Sequence, residues 1–265
     1  MKEWRLMVFT LAIQIACGLA AAATACELGC GPAAAGPMRP LAISIFPLTA
    51  AGIVFSMAHL GRPWASWRML AGLGRSRLSV EILLTGVFTL LALAYSGLWW
   101  MRIAEWRVVL GAATSLAGAA AVVAAARVYT VPMQPVWNSG WVSMSFVGAS
   151  ALLGGLLPIV AVPWDGRAGA ARAFLAAMAC GALLLFIAAW RMMAKLAKPR
   201  RSGTWWRLGG HVLLATVVPI AAAARMWPER HRDLAPFGGL LFLAVLAGVA
   251  AGRSLLYGAA KSEPF

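Results

Sequence analysis

Apolar stretches of about twenty residues alternate with short polar breaks along this chain. The pattern recurs eight times, near 5–27, 40–59, 79–101, 106–129, 142–162, 170–192, 206–227 and 235–257. A helix rises 1.5 Å per residue, so about 20 apolar residues cross the ~30 Å hydrocarbon core of a bilayer. Within lipid, backbone groups must pair inside a helix or a closed barrel. The ten-residue alternation of barrel strands is absent, so each stretch predicts a helix. The breaks have causes. Gly31-Pro32 and Gly36-Pro37 end the first stretch and Gly61-Arg62-Pro63 the second. Pro132 and Pro135 end the fourth, and Pro199 to Gly203 separates the sixth from the seventh. Proline lacks the N–H a helix needs and biases its preceding residue away from helix. The expected fold is an all-α integral membrane protein, an eight-transmembrane-helix bundle, forming a single transmembrane domain over 1–265. The first span is expected to be retained as a helix rather than removed as a signal peptide.

Composition agrees with the pattern. Hydrophobic residues make up 62% and charged residues 12%, with mean hydropathy +0.81. Soluble domains average about 45–50% apolar and about 25% charged. The longest polar interval, near 195–207, is too short to fold alone.

The net charge is +15, from 23 Lys and Arg against 8 Asp and Glu. These charges flank apolar spans, where they set topology rather than bind nucleic acid. They also attract anionic lipid headgroups. Eight spans put both termini on one face. That face collects 15 of the 23 cations and the other 8, so the positive-inside rule places both termini in the cytoplasm.

Small residues mark helix contacts. Gly248 and Gly252 form a G-x-x-x-G in the last span, and Gly111 and Gly118 lie among alanines in the fourth. The four cysteines, Cys17, Cys26, Cys30 and Cys180, show no metal-ligand spacing. Cys26 and Cys30 read either as a disulfide on an extracytoplasmic face or as small residues in a packed helix.

Ionisable residues near a span are costly and suggest function. His59 ends the second span, Glu81 opens the third, Arg127 and Tyr129 end the fourth, and His211 lies early in the seventh. All five fall on the face of the termini. No comparable cluster is expected at the opposite end. Such a set suits proton-coupled chemistry. A quinol gives up two protons with its two electrons. Histidine titrates near neutrality, and a carboxylate can be tuned toward it. Arg127 could orient a carbonyl, and Trp64, Trp67 and Trp137 could supply an aromatic slot. The electrons have no visible carrier in this protein, so a partner must hold the redox centres.

Two blocks carry a resemblance. The first joins Met57-Ala58-His59-Leu60-Gly61-Arg62-Pro63 to Arg75-Ser76-Arg77-Leu78-Ser79-Val80-Glu81-Ile82. The second is Arg127-Val128-Tyr129-Thr130-Val131-Pro132-Met133-Gln134-Pro135-Val136-Trp137-Asn138-Ser139. With the span count they resemble the membrane-anchor subunits of dimethyl sulfoxide reductases, which group with polysulfide-reductase and nitrite-reductase type anchors. The resemblance implies a quinol-oxidising anchor, with menaquinol the expected type, in a prokaryotic inner membrane. It implies no haem and no iron–sulfur cluster in this protein. It also implies a four-cluster iron–sulfur partner and a molybdopterin catalytic partner. His59 and Glu81 correspond to the family's quinol-site histidine and glutamate. Arg127, Tyr129, Trp137 and Asn138 complete the expected quinol-binding set. No metal ligands are expected. The terminal acceptor stays open among sulfoxide, N-oxide, selenate and sulfur compounds.

Other readings compete. A single-haem b-type cytochrome anchor would pair His59 with His211. A small secondary transporter would place polar residues near the midplane, whereas these gather toward one face. A purely structural anchor would pass no electrons.

Overall fold

The computed structural model describes residues 4–58, 63–129, 140–162, 168–195, 202–226 and 238–259. Every long element among them is helical. α1 is Trp4–Ala34, α2 Arg39–Met57, α3 Arg77–Met101, α4 Arg107–Val128, α5 Gly140–Ala161 and α6 Ala168–Lys195. α7 covers 202–226 and contains a π-helical turn, Leu213–Val217. α8 is Gly238–Ala259. A helix overlaps each of the eight apolar stretches, with ends that differ by up to seven residues. Seven are long and apolar enough to cross a membrane; in α8 the apolar stretch, Gly238–Ser254, is shorter. The shortest of the seven has 20 residues, or about 30 Å of helix. Tryptophans exposed near both ends of the bundle, Trp67 and Trp206 at one and Trp100 and Trp106 at the other, match the aromatic belts of membrane interfaces.

Gly31 breaks α1 as the sequence predicts. Its φ of 78° lies in the left-handed region, which glycine enters without Cβ strain. Between α2 and α3 the sequence predicts only a loop, but Pro63–Gly72 forms a 3₁₀ helix.

The helices make two halves. α1 packs on α2 and α4, and α3 joins α2 to α4, closing a four-helix ring. α5, α6, α7 and α8 form the second half. α1 and α5 join the two. Their apolar windows are 61% and 67% buried, against 22–44% for the other five candidate spans. Lipid supplies no hydrophobic force between helices, so small residues and close contact hold the seam. A Cβ on Gly154 would lie 2.7 Å from the Gly18 carbonyl oxygen, and one on Gly18 would lie 2.7 Å from the Gly154 Cα. The glycines singled out in the sequence also sit at contacts. Gly118 meets Phe88 and Cys17, Gly111 meets Thr24 and Tyr95, and Gly248 meets Leu214.

Arginines link consecutive helices in the first half. Arg5, at the start of α1, donates to the Ala58 carbonyl at the end of α2. Arg39, at the start of α2, donates to the Trp99 and Trp100 carbonyls of α3 at 3.1 and 3.0 Å. Arg77, at the start of α3, donates to the Arg127 carbonyl of α4 at 3.2 Å. The last carbonyls of a helix have no intrahelical partner and carry partial negative charge. Each arginine therefore caps the C-terminus of the next helix. Cations that read as topology signals are also structural ties.

Candidate functional site

Glu81 lies in the second turn of α3, near the face of the N-terminus, and is 7% exposed. The helical period places it on a buried stripe of α3 with Thr85, Phe88, Ala92, Tyr95 and Trp99. Ser79 donates to the Met69 carbonyl at 2.5 Å, pinning the 3₁₀ segment against the start of α3. The Arg77–Arg127 hydrogen bond joins that start to the end of α4. The Arg127 side chain itself is exposed. Glu81 and Arg127 therefore belong to adjoining helix ends.

Tyr129, the C-cap residue of α4, packs toward α5. It is half-buried, and its ring centroid lies 6.0 Å from that of Phe146 on α5. The Arg253 guanidinium of α8 lies 3.5 Å from the Phe146 ring centroid. Arg253 also donates to Ser145 Oγ and to the Ser145 carbonyl, both at 3.3 Å. His211 is buried in the α7–α8 contact, where its Nδ1 lies 2.9 Å from the Gly248 carbonyl oxygen. A carbonyl only accepts, so Nδ1 carries the proton. A Cβ on Gly252 would strike this ring, which accounts for the second glycine of the G-x-x-x-G. In the sequence Arg253 reads only as a tail charge; its place in an apolar span was the available signal.

His59, Trp137 and Asn138 lie outside the described residues. So does the side chain of Trp64. Trp67 is 67% exposed on the 3₁₀ segment, with the Arg68 guanidinium 5.7 Å from its ring centroid.

The opposite end corrects the sequence reading, which expects no comparable cluster there. Arg107 Nε lies 3.0 Å from Glu27 Oε1, and both side chains are buried. The guanidinium stands 4.2 Å over the Trp99 ring. Tyr95 packs edge-on against Trp99, and its hydroxyl lies 3.4 Å from Thr24 Oγ1. The ion pair lacks hydrogen-bond alignment, so charge proximity and the aromatic faces hold it. Cys26 and Cys30, on the same end of α1, are not bridged.

The DMSO reductase anchor subunit family (DmsC) matches residues 1–197. The protein belongs to that family. Over 279 aligned residues it is 28% identical to the C subunit of the anaerobic dimethyl sulfoxide reductase of Escherichia coli (strain K12). The alignment covers 97% of this protein and 94% of that subunit. Membership in this anchor family, together with the apolar helices, makes this a multi-pass membrane protein. The family match takes in both blocks that carry the resemblance, and with them Glu81, Arg127 and Tyr129.

Proposed function

We propose that this protein anchors a molybdopterin oxidoreductase complex of the dimethyl sulfoxide reductase type and oxidises quinol at the N-terminal face of its first four helices. The observation that carries the reading is Glu81, a carboxyl buried in the second turn of a span in a member of an anchor-subunit family. A buried ionisable group in a span is expensive to keep and marks function by default.

Quinol oxidation releases two electrons and two protons. Glu81 accepts one hydroxyl proton, and His59, two residues beyond Met57 in the sequence, accepts the other or orients the ring. Arg127, Tyr129, Trp137 and Asn138 shape the rest of the pocket. Menaquinol is the expected quinol. The electrons pass to a partner carrying four iron–sulfur clusters and then to a molybdopterin subunit; the anchor supplies no redox centre of its own. Electron transfer falls steeply with distance, so the iron–sulfur partner docks on the face holding Glu81. The eight helices act as one transmembrane domain in a prokaryotic inner membrane, with both termini cytoplasmic.

The test is a pair of variants in the intact complex. Glu81→Gln and His59→Ala abolish quinol-dependent reduction while the partner subunits stay membrane-bound. Full activity in both variants would remove the site assignment.

A further inference from the structure

The second half keeps a cation inside an apolar span. Arg253 is the one charged residue of α8 and is 3% exposed. The same stripe of the helix otherwise carries Val245 and Val249, both buried. A charge in a span is costly, and an aliphatic side chain would join α8 to its neighbour at less cost. A charge kept there points to a directional contact rather than to packing alone.

The direction is fixed from both sides. On the α7 side, Gly252 leaves room for the His211 ring, and His211 Nδ1 donates to the Gly248 carbonyl at 2.9 Å. On the α5 side, the Arg253 guanidinium donates to Ser145 Oγ and to the Ser145 carbonyl, both at 3.3 Å. It also stands 3.5 Å from the centroid of the Phe146 ring. A cation is drawn to the face of an aromatic ring, most strongly where water is excluded. Phe146 is fully buried. Its ring lies 6.0 Å, centroid to centroid, from that of Tyr129, with the planes tilted by 35°. Tyr129 is the C-cap of α4, where the chain leaves the helix, so its ring depends on lateral contacts. Arg253, Phe146 and Tyr129 thus form one run of contacts from α8 through α5 to the end of α4. α8 lies beyond residues 1–197, so the family match assigns Arg253 nothing.

We propose that Arg253 is a positioning residue for quinol binding, acting through Phe146 on Tyr129. This rests on the quinol-site reading above, in which Tyr129 shapes the pocket. Arg253 touches neither quinol nor a transferred proton. It fixes the Phe146 ring, and Phe146 fixes the ring of Tyr129. The Tyr129 hydroxyl is thereby held at one place. A phenol both donates and accepts, so it serves the quinol hydroxyl and the quinone carbonyl alike. Glu81 and His59 keep the proton roles, and the electrons leave to the partner.

The test is a double-mutant cycle in the intact complex in lipid nanodiscs. The readouts are the quinol KM and, without turnover, the Kd of an alkyl-hydroxyquinoline N-oxide by fluorescence titration. Arg253→Leu and Tyr129→Ala each raise both about fivefold, the loss of roughly one hydrogen bond. kcat stays within about twofold. The double variant is no worse than the weaker-binding single variant, because both changes remove the same placement. A merely structural role for Arg253 gives losses that multiply, and multiplied losses overturn the proposal. Unchanged KM and Kd in Arg253→Leu overturn it as well. Should Arg253→Leu fail to assemble, Phe146→Leu takes its place in the cycle with Tyr129→Ala, and multiplied losses there overturn the proposal equally. Glu81→Gln and His59→Ala are measured alongside. If they stop quinol oxidation while Arg253→Leu behaves as wild type, only the role of Arg253 falls. If both stay fully active, the quinol site itself is misplaced and this proposal falls with it.

Discussion

Arg107 Nε and Glu27 Oε1 lie 3.0 Å apart inside the bundle, at the end remote from Glu81. The pair ties α4 to α1, and the Trp99 ring beneath the guanidinium adds α3 to the same contact. Removing one partner of a buried pair leaves an uncompensated charge, at a cost of about 3–5 kcal/mol, whereas replacing both with apolar groups is often neutral. Arg107→Ala therefore lowers the yield of folded, monodisperse protein after heating. The double variant Glu27→Leu with Arg107→Met recovers most of it. Equal loss in both, measured by fluorescence-detected size exclusion, would show that the charges are not coupled.

The capping arginines give a gentler expectation. Arg39 makes two hydrogen bonds to the last carbonyls of α3. Losing them costs about 1–3 kcal/mol, so Arg39→Leu lowers the thermal unfolding midpoint by several degrees. Arg39→Lys recovers part of the loss, since a lysine keeps the charge at the helix end but lacks the two-pronged donor. A midpoint unaffected by Arg39→Leu would mean that the arginine serves topology alone.

The α1–α5 seam should be the least tolerant contact in the bundle. Gly18 and Gly154 approach through backbone, so an added side chain has no flexible neighbour to displace. Gly154→Val forces the two halves apart, at a cost of more than about 1–3 kcal/mol. Gly169, at the start of α6, has nothing within 4 Å of an added Cβ, and Gly169→Ala serves as the control. Comparable membrane levels of Gly154→Val and Gly169→Ala, read by immunoblot, would contradict the role of the seam.

Hydropathy made the helices legible because the bilayer sets their length, and Gly31 made the first break legible because its backbone needs φ > 0. The 3₁₀ segment Pro63–Gly72 was not legible: its one proline and one glycine signal a turn without naming its type. The Glu27–Arg107 pair was missed for another reason. Its partners are 80 residues apart in sequence, and only the register of α1 against α4 brings them together. Arg253 was hidden by the same limit, since its contact with Phe146 and Ser145 depends on how α8 crosses α5. Glu81 was found because one carboxylate inside an apolar run is conspicuous.

In the proposed function, Glu81 takes a proton from quinol. Its most direct measurement is a single turnover: the Glu81→Gln complex, with its partners bound, is mixed rapidly with a menaquinol analogue, and reduction of the iron–sulfur clusters is followed by absorbance. Loss of a positioned general base slows such a step by about 10²–10⁴-fold. A fall of at least about a hundredfold is expected, with the complex intact in the membrane. Cluster reduction at the wild-type rate would contradict it.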